Sequence, residues 1–175
     1  MKKTFFIALF AVLVMVACQK KVEYPIEPQI TYKGLAFVID ADSTLTGEVV
    51  LSIGYTDGDG DLGLDDSDTI YPFGINDPHY YNLIIDYLRW DGTQFVADTI
   101  NFNARFKRLV FYDEVKAISG VIKNTTMLLN PFAPNDTVKL RAHIIDRALH
   151  ESNTIETEPI CFFRSQKTEV RSKNK

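Results

Sequence analysis

Residues 137–146 read TVKLRAHIID. Val138, Leu140, Ala142 and Ile144 alternate with Lys139, Arg141 and His143. A period of two sends successive side chains to opposite faces of an extended chain. The stretch therefore predicts a strand with one face buried. The same alternation runs through EVVLSIGY at 48–55, where Val49, Leu51, Ile53 and Tyr55 share a face. Further strand-like runs fall at 30–39, 80–90, 93–98, 102–111, 117–124 and 153–163, which makes eight. No segment sustains a helical period with caps. Asp91-Gly92, between two of the runs, is a tight-hairpin signal, and PNDT at 134–137 is turn chemistry before a strand. Short strands at this spacing predict an all-β domain, an antiparallel β-sandwich over 30–163. A barrel is the alternative closure of the same strands.

A chain of 175 residues has room for one domain with a core, and 46% hydrophobic content is that of a folded protein. The formal charge of −4 argues against general nucleic-acid binding, which needs a basic face. The charge is uneven. The last twelve residues, RSQKTEVRSKNK, carry five basic side chains and one acid, and read as a basic, frayed tail over 164–175.

The first seventeen residues do not belong to the domain. Lys2 and Lys3 precede thirteen apolar residues, Phe5 to Ala17. Crossing a bilayer takes ~20 apolar residues, so the run fits a secretory signal peptide over 1–17. It ends in MVAC at 15–18, which resembles a bacterial lipobox with Met15 where leucine is usual. The resemblance implies cleavage before Cys18 and acylation of that cysteine, hence a membrane partner through a lipid anchor. Residues 18–29, polar and broken by prolines, then form a tether. Gln19 stands where an Asp would retain a lipoprotein in the inner membrane, so the pattern resembles an outer-membrane destination and leaves the leaflet open. The other cysteine, Cys161, has no basic neighbours and is expected to be an inert buried thiol.

Between Tyr55 and Tyr80 lie 24 residues that include DGDGDLGLDDSD at 57–68, six of them aspartates. Loops longer than ~12–15 residues without structure are uncommon and need something to order them. Carboxylates this crowded raise one another's pKa unless a cation compensates. Counting from Asp57, oxygens at positions 1, 3, 5, 7, 9 and 12 come from Asp57, Asp59, Asp61, the Gly63 carbonyl, Asp65 and Asp68. That is the ligand spacing of a twelve-residue calcium loop, with Leu64 as its apolar anchor. Leu62 holds the place of the usual glycine, Asp68 that of the usual glutamate, and no helices flank the loop. The loop therefore resembles the DxDxDG-type calcium loops set into extracellular β domains. A structural Ca²⁺ on these six residues is the expectation, and a solvated acidic turn is the alternative.

YTDGDGDLGL also resembles a group of poorly characterised envelope lipoproteins that share the lipobox, the tether, the acidic loop and a β-rich body. That resemblance implies no activity. Residues 138–160 resemble the last hairpin of an immunoglobulin or fibronectin-III-like domain, without the antibody Cys…Trp…Cys pattern. HExxH, GxSxG, Walker, dinucleotide and CxxC motifs are all missing. His79 reads as a turn residue and His143 as an exposed strand residue. The sequence thus predicts a non-catalytic, lipid-anchored β-sandwich that contacts an envelope protein or glycan. A small metal-dependent hydrolase or glycan-processing accessory protein is the second reading.

Overall fold

A computed structural model describes residues 23–39, 46–110, 116–129 and 137–161. The leader, Cys18 and the basic tail lie outside them. The described residues form no helix. They form eight strands: β1 (Gln29–Ile39), β2 (Thr46–Asp57), β3 (Leu83–Trp90), β4 (Phe95–Asn101), β5 (Ile118–Leu129), β6 (Thr137–Ile144), β7 (Ile155–Glu156) and β8 (Ile160–Cys161). One sheet has the order β1-β2-β5. The other has the order β4-β3-β6-β7, with β8 pairing further along β6. Every strand pairing is antiparallel. The two sheets pack as a β-sandwich.

The core follows from the alternation. Ile30, Val49, Leu51 and Ile53 from the first sheet meet Leu83, Ile85 and Tyr87 of β3 and Val138, Leu140, Ala142 and Ile144 of β6. Along β6 every second side chain is buried. Each large aliphatic side chain taken out of water in this way contributes about 1.5–3 kcal/mol. The Asp91-Gly92 turn joins β3 to β4 as expected. The Gly92 φ is +104°, and Asp91 accepts hydrogen bonds from the Thr93 and Gln94 amides.

Two expected strands come out differently. Residues 102–111 form no strand among the described residues. Phe102 and Ala104 donate to the Ile85 and Leu83 carbonyls, but Phe106 and Leu109 turn to the acidic loop, bonding Leu64 and Leu62. The buried Asn82 side chain takes both backbone groups of Phe106, at 2.9 and 2.8 Å. No continuous ladder is left. The run at 153–163 is split because the Thr157 hydroxyl accepts from the Leu140 amide, where a strand would offer a carbonyl. Eight strands are reached by losing one and dividing another.

The strand directions sort the loops between two ends. β1 begins where β2 ends, β5 begins opposite the end of β2, and β3 begins opposite the end of β6. The residues before β1, the 58–82 connection and the turn after β6 therefore share one end. The 91–94 turn and the close of β8 beside Thr137 share the other. At the first end Asn153 clasps β1: its Oδ1 accepts from the Ile30 amide at 2.7 Å, and its Nδ2 donates to the Ile30 carbonyl at 2.9 Å.

Candidate metal centre

β2 carries its inward face as far as Asp57, the last residue of the strand. Asp57 has no exposed surface, and neither carboxylate oxygen meets a hydrogen-bond donor. A charge buried in this way is costly unless it is paired. The chain then turns tightly. Gly60 has φ +76°, and a Cβ there would fall 2.3 Å from the Lys116 carbonyl oxygen, so only glycine fits. This turn brings Asp59 and Asp61 back beside Asp57, and each has one buried oxygen without a partner.

A fourth carboxylate arrives from the other sheet. Asp146 lies two residues past β6 and is buried. One oxygen from each of Asp57, Asp59, Asp61 and Asp146 lies within 4.8 Å of the others. Asp146 is positioned by its own turn. Its Oδ1 accepts from the His150 amide at 2.8 Å, and its Oδ2 lies 2.9 Å from His150 Nδ1. The same turn sends the Ala148 amide to Asp61 Oδ2 at 3.0 Å. Leu149, at φ +71°, lets the backbone double back. Each acceptor oxygen keeps a second lone pair. The four carboxylates can therefore hold a metal ion.

The electrostatics carry the same message. Burial first, then the charges of Asp59 and Asp61, push the Asp57 carboxyl up to about 7. Burial, then Asp146 and Asp59, push Asp61 up to about 6. Without a cation, Asp57 and Asp59 can pair only by sharing a proton. Asp146 raises the His150 imidazole, by hydrogen bond and by charge.

Of the six residues expected from the loop spacing, the structure brings together Asp57, Asp59 and Asp61. It places Asp65 and Asp68 elsewhere. Leu62 and Leu64 are buried, so after Asp61 the chain dives into the core and does not continue around the cluster. Asp65 and Asp68 lie outside the cluster, among arginines. Arg147 makes a two-pronged pair with Asp68, one prong at 3.1 Å, and Arg108 stands 3.7 Å from Asp65. Burial pushes the Asp68 carboxyl up, but the Arg147 hydrogen bond, the Asp65 amide and the charges of Arg147 and Arg105 outweigh it and hold the group low. Gly63, at φ +94°, packs against the Lys107–Arg108 backbone. His79 sits in the 77–80 turn, outside the cluster.

Comparison with protein-family models, with curated proteins and with solved structures gives no match for this chain. Its functional reading therefore rests on its own residues. Asp146 is the clustered acid that the loop spacing missed. In the sequence it is the aspartate closing TVKLRAHIID, which reads as a turn residue. The available signal was topological: β2 and β6 both run towards the end that holds the 58–82 connection, Asp57 closing β2 and Asp146 standing two residues past β6.

Proposed function

We propose that the cluster of Asp57, Asp59, Asp61 and Asp146 binds one Ca²⁺ ion as a brace between the two sheets. The observation that carries this reading is the Asp57 carboxylate, fully buried with both oxygens unpartnered among three other acids. Oxygen-only ligands suit a hard cation and not zinc or copper. Ca²⁺ binds oxygen at ~2.3–2.6 Å, so opposite ligands stand ~5 Å apart. Four oxygens within 4.8 Å of one another fit that shell. The ion would neutralise charges that otherwise repel, and join the end of β2 to the turn after β6.

The protein built around this brace is a lipid-anchored envelope component with an immunoglobulin or fibronectin-III-like sandwich. It acts without catalysis, as a scaffold or binding module toward an envelope protein or glycan. MVAC at 15–18 and the tether support the anchor. The turn at 146–150 supports a structural ion, because it closes over the cluster and commits His150 to Asp146. A hydrolytic centre would need an open position beside a free base.

Thermal melting tests the ion. Millimolar Ca²⁺ should raise the melting temperature above that in EDTA. Asp57→Asn should abolish the rise and leave the EDTA value unchanged or higher, because it removes a buried unpaired charge. An Asp57→Asn protein that melts lower in EDTA and still responds to Ca²⁺ would sink the reading. The anchor is tested by the mass of the N-terminal peptide from envelope-expressed protein. Acyl mass on Cys18, lost in Cys18→Ala, is the expected result.

A further inference from the structure

Ile70, Tyr71 and Ile75 are 79%, 74% and 75% exposed. One exposed isoleucine asks for no explanation; three large apolar side chains on one six-residue segment do. The segment is not slack. Arg105 donates to the carbonyls of Asp65, Asp68, Phe73 and Tyr80, at 2.9 to 3.2 Å. The Gly74 amide donates to Asp77 at 2.9 Å, and the Phe73 amide to the Ile70 carbonyl at 2.9 Å. The fold fixes this segment's backbone and still holds its apolar side chains in water.

The segment belongs to the end of the sandwich where the chain arrives from Cys18. A Cβ at Gly58 would fall 2.5 Å from the carbonyl oxygens of Tyr24 and Pro25, so the tether's backbone rests on the acidic loop itself. Ile26, in the same stretch, is 54% exposed. Five residues separate Cys18 from Tyr24, and the six steps reach at most ~20 Å in any conformation. The twelve residues of β2 put the opposite end ~40 Å further away. A chain held by Cys18 therefore keeps its metal-centre end near the lipid, and its 91–94 end can come down only if the molecule lies on its side.

We infer that the 70–75 segment is a membrane contact. Ile70, Tyr71 and Ile75 enter the headgroup region of the bilayer that carries Cys18 and stand the sandwich on its metal-centre end. Tyrosine beside aliphatic side chains suits that layer, where an apolar body and a polar tip are both satisfied. One acylated residue sets the distance; shallow insertion of three side chains sets the orientation. The inference rests on the anchor reading above and is independent of which cation fills the cluster.

The test uses the whole chain, leader included, expressed in a bacterial envelope and reconstituted into phosphatidylcholine–phosphatidylglycerol vesicles with brominated acyl chains. Trp90, at the close of β3 and the far end, is the internal reference. Tyr71→Trp in a Trp90→Phe background moves the only tryptophan to the segment. Brominated lipid should quench it by roughly half or more, as for a shallowly buried ring, and should leave Trp90 of the unaltered protein nearly untouched. Adding Ile70→Ser and Ile75→Ser should remove the quenching without shifting the melting temperature, since both side chains are exposed. If the chain carries acyl mass on Cys18 and position 71 is quenched no more than Trp90, the membrane contact is overturned and the anchor stands. Absence of acyl mass overturns both. Shielding of position 71 only by added envelope protein, without lipid quenching, assigns the segment to a protein partner and overturns the inference.

Discussion

Asp57 is the residue on which the site turns, and its chemistry sets a sign. The folded chain holds Asp57 near 7 and Asp61 near 6, against an ordinary 3.8. Between those values the folded state binds more protons than the unfolded chain, so stability falls as pH rises. In EDTA the melting temperature should drop from about pH 4 to about pH 7, the interval between the unfolded and folded values. Excess Ca²⁺ should flatten or reverse the drop, because the ion binds the deprotonated carboxylates. Identical pH profiles with and without Ca²⁺ would disconnect the acids from a cation. Asn82 offers a contrasting case, a buried polar side chain with its bonds made. Asn82→Ala should cost on the order of 1–3 kcal/mol in denaturant unfolding, since the Phe106 amide loses its partner while the Phe106 carbonyl keeps the Leu64 amide. Three of the four clustered acids were legible because glycines separate them in sequence. Asp57's burial was not, since the alternation of Val49, Leu51, Ile53 and Tyr55 points residue 57 inward only if the strand runs that far, and no local signal says that it does.

The 58–82 connection is two devices in series, and the sequence showed only their shared acidity. Asp57, Asp59 and Asp61 form one side of the acid cluster. From Asp65 on, order comes from cations already in the chain. Arg105, forty residues from Asp65, binds four carbonyls of the connection and stacks 5.1 Å over the Tyr80 ring. A ligand spacing cannot reveal this, because carbonyl acceptors leave no signature in side-chain identity. Leu62 and Leu64 were the visible hint: two leucines amid aspartates are core anchors, and they carry the chain away from the cluster. Arg105→Met should speed amide hydrogen exchange across 65–80 and cost on the order of 2–3 kcal/mol, while the Ca²⁺-induced rise in melting temperature persists. Loss of that rise in Arg105→Met would show that the two devices are one.

At the scale of the molecule, the sandwich was legible because period-two burial is local and each face of β2, β3 and β6 repeats it. The 102–111 run misled for a non-local reason. Its apolar residues pack on the core, but its backbone groups are shared between β3, Asn82 and the acidic loop. The acid cluster brings together residues of two sheets whose strands meet mainly through side chains. Asp146→Asn should therefore weaken Ca²⁺ stabilisation as severely as Asp57→Asn, although the two positions lie 89 residues apart. A variant that kept the full calcium response would confine the ion to the acidic loop. The Asn153 clasp on β1 has a consequence in time. Its partners are 123 residues apart, so β2 can pair with β1 early, but the start of the first strand is clasped only when nearly the whole domain is present. A chain delivered from its N-terminus should therefore close this clasp late, after the β1–β2 ladder, because it closes a loop of more than a hundred residues.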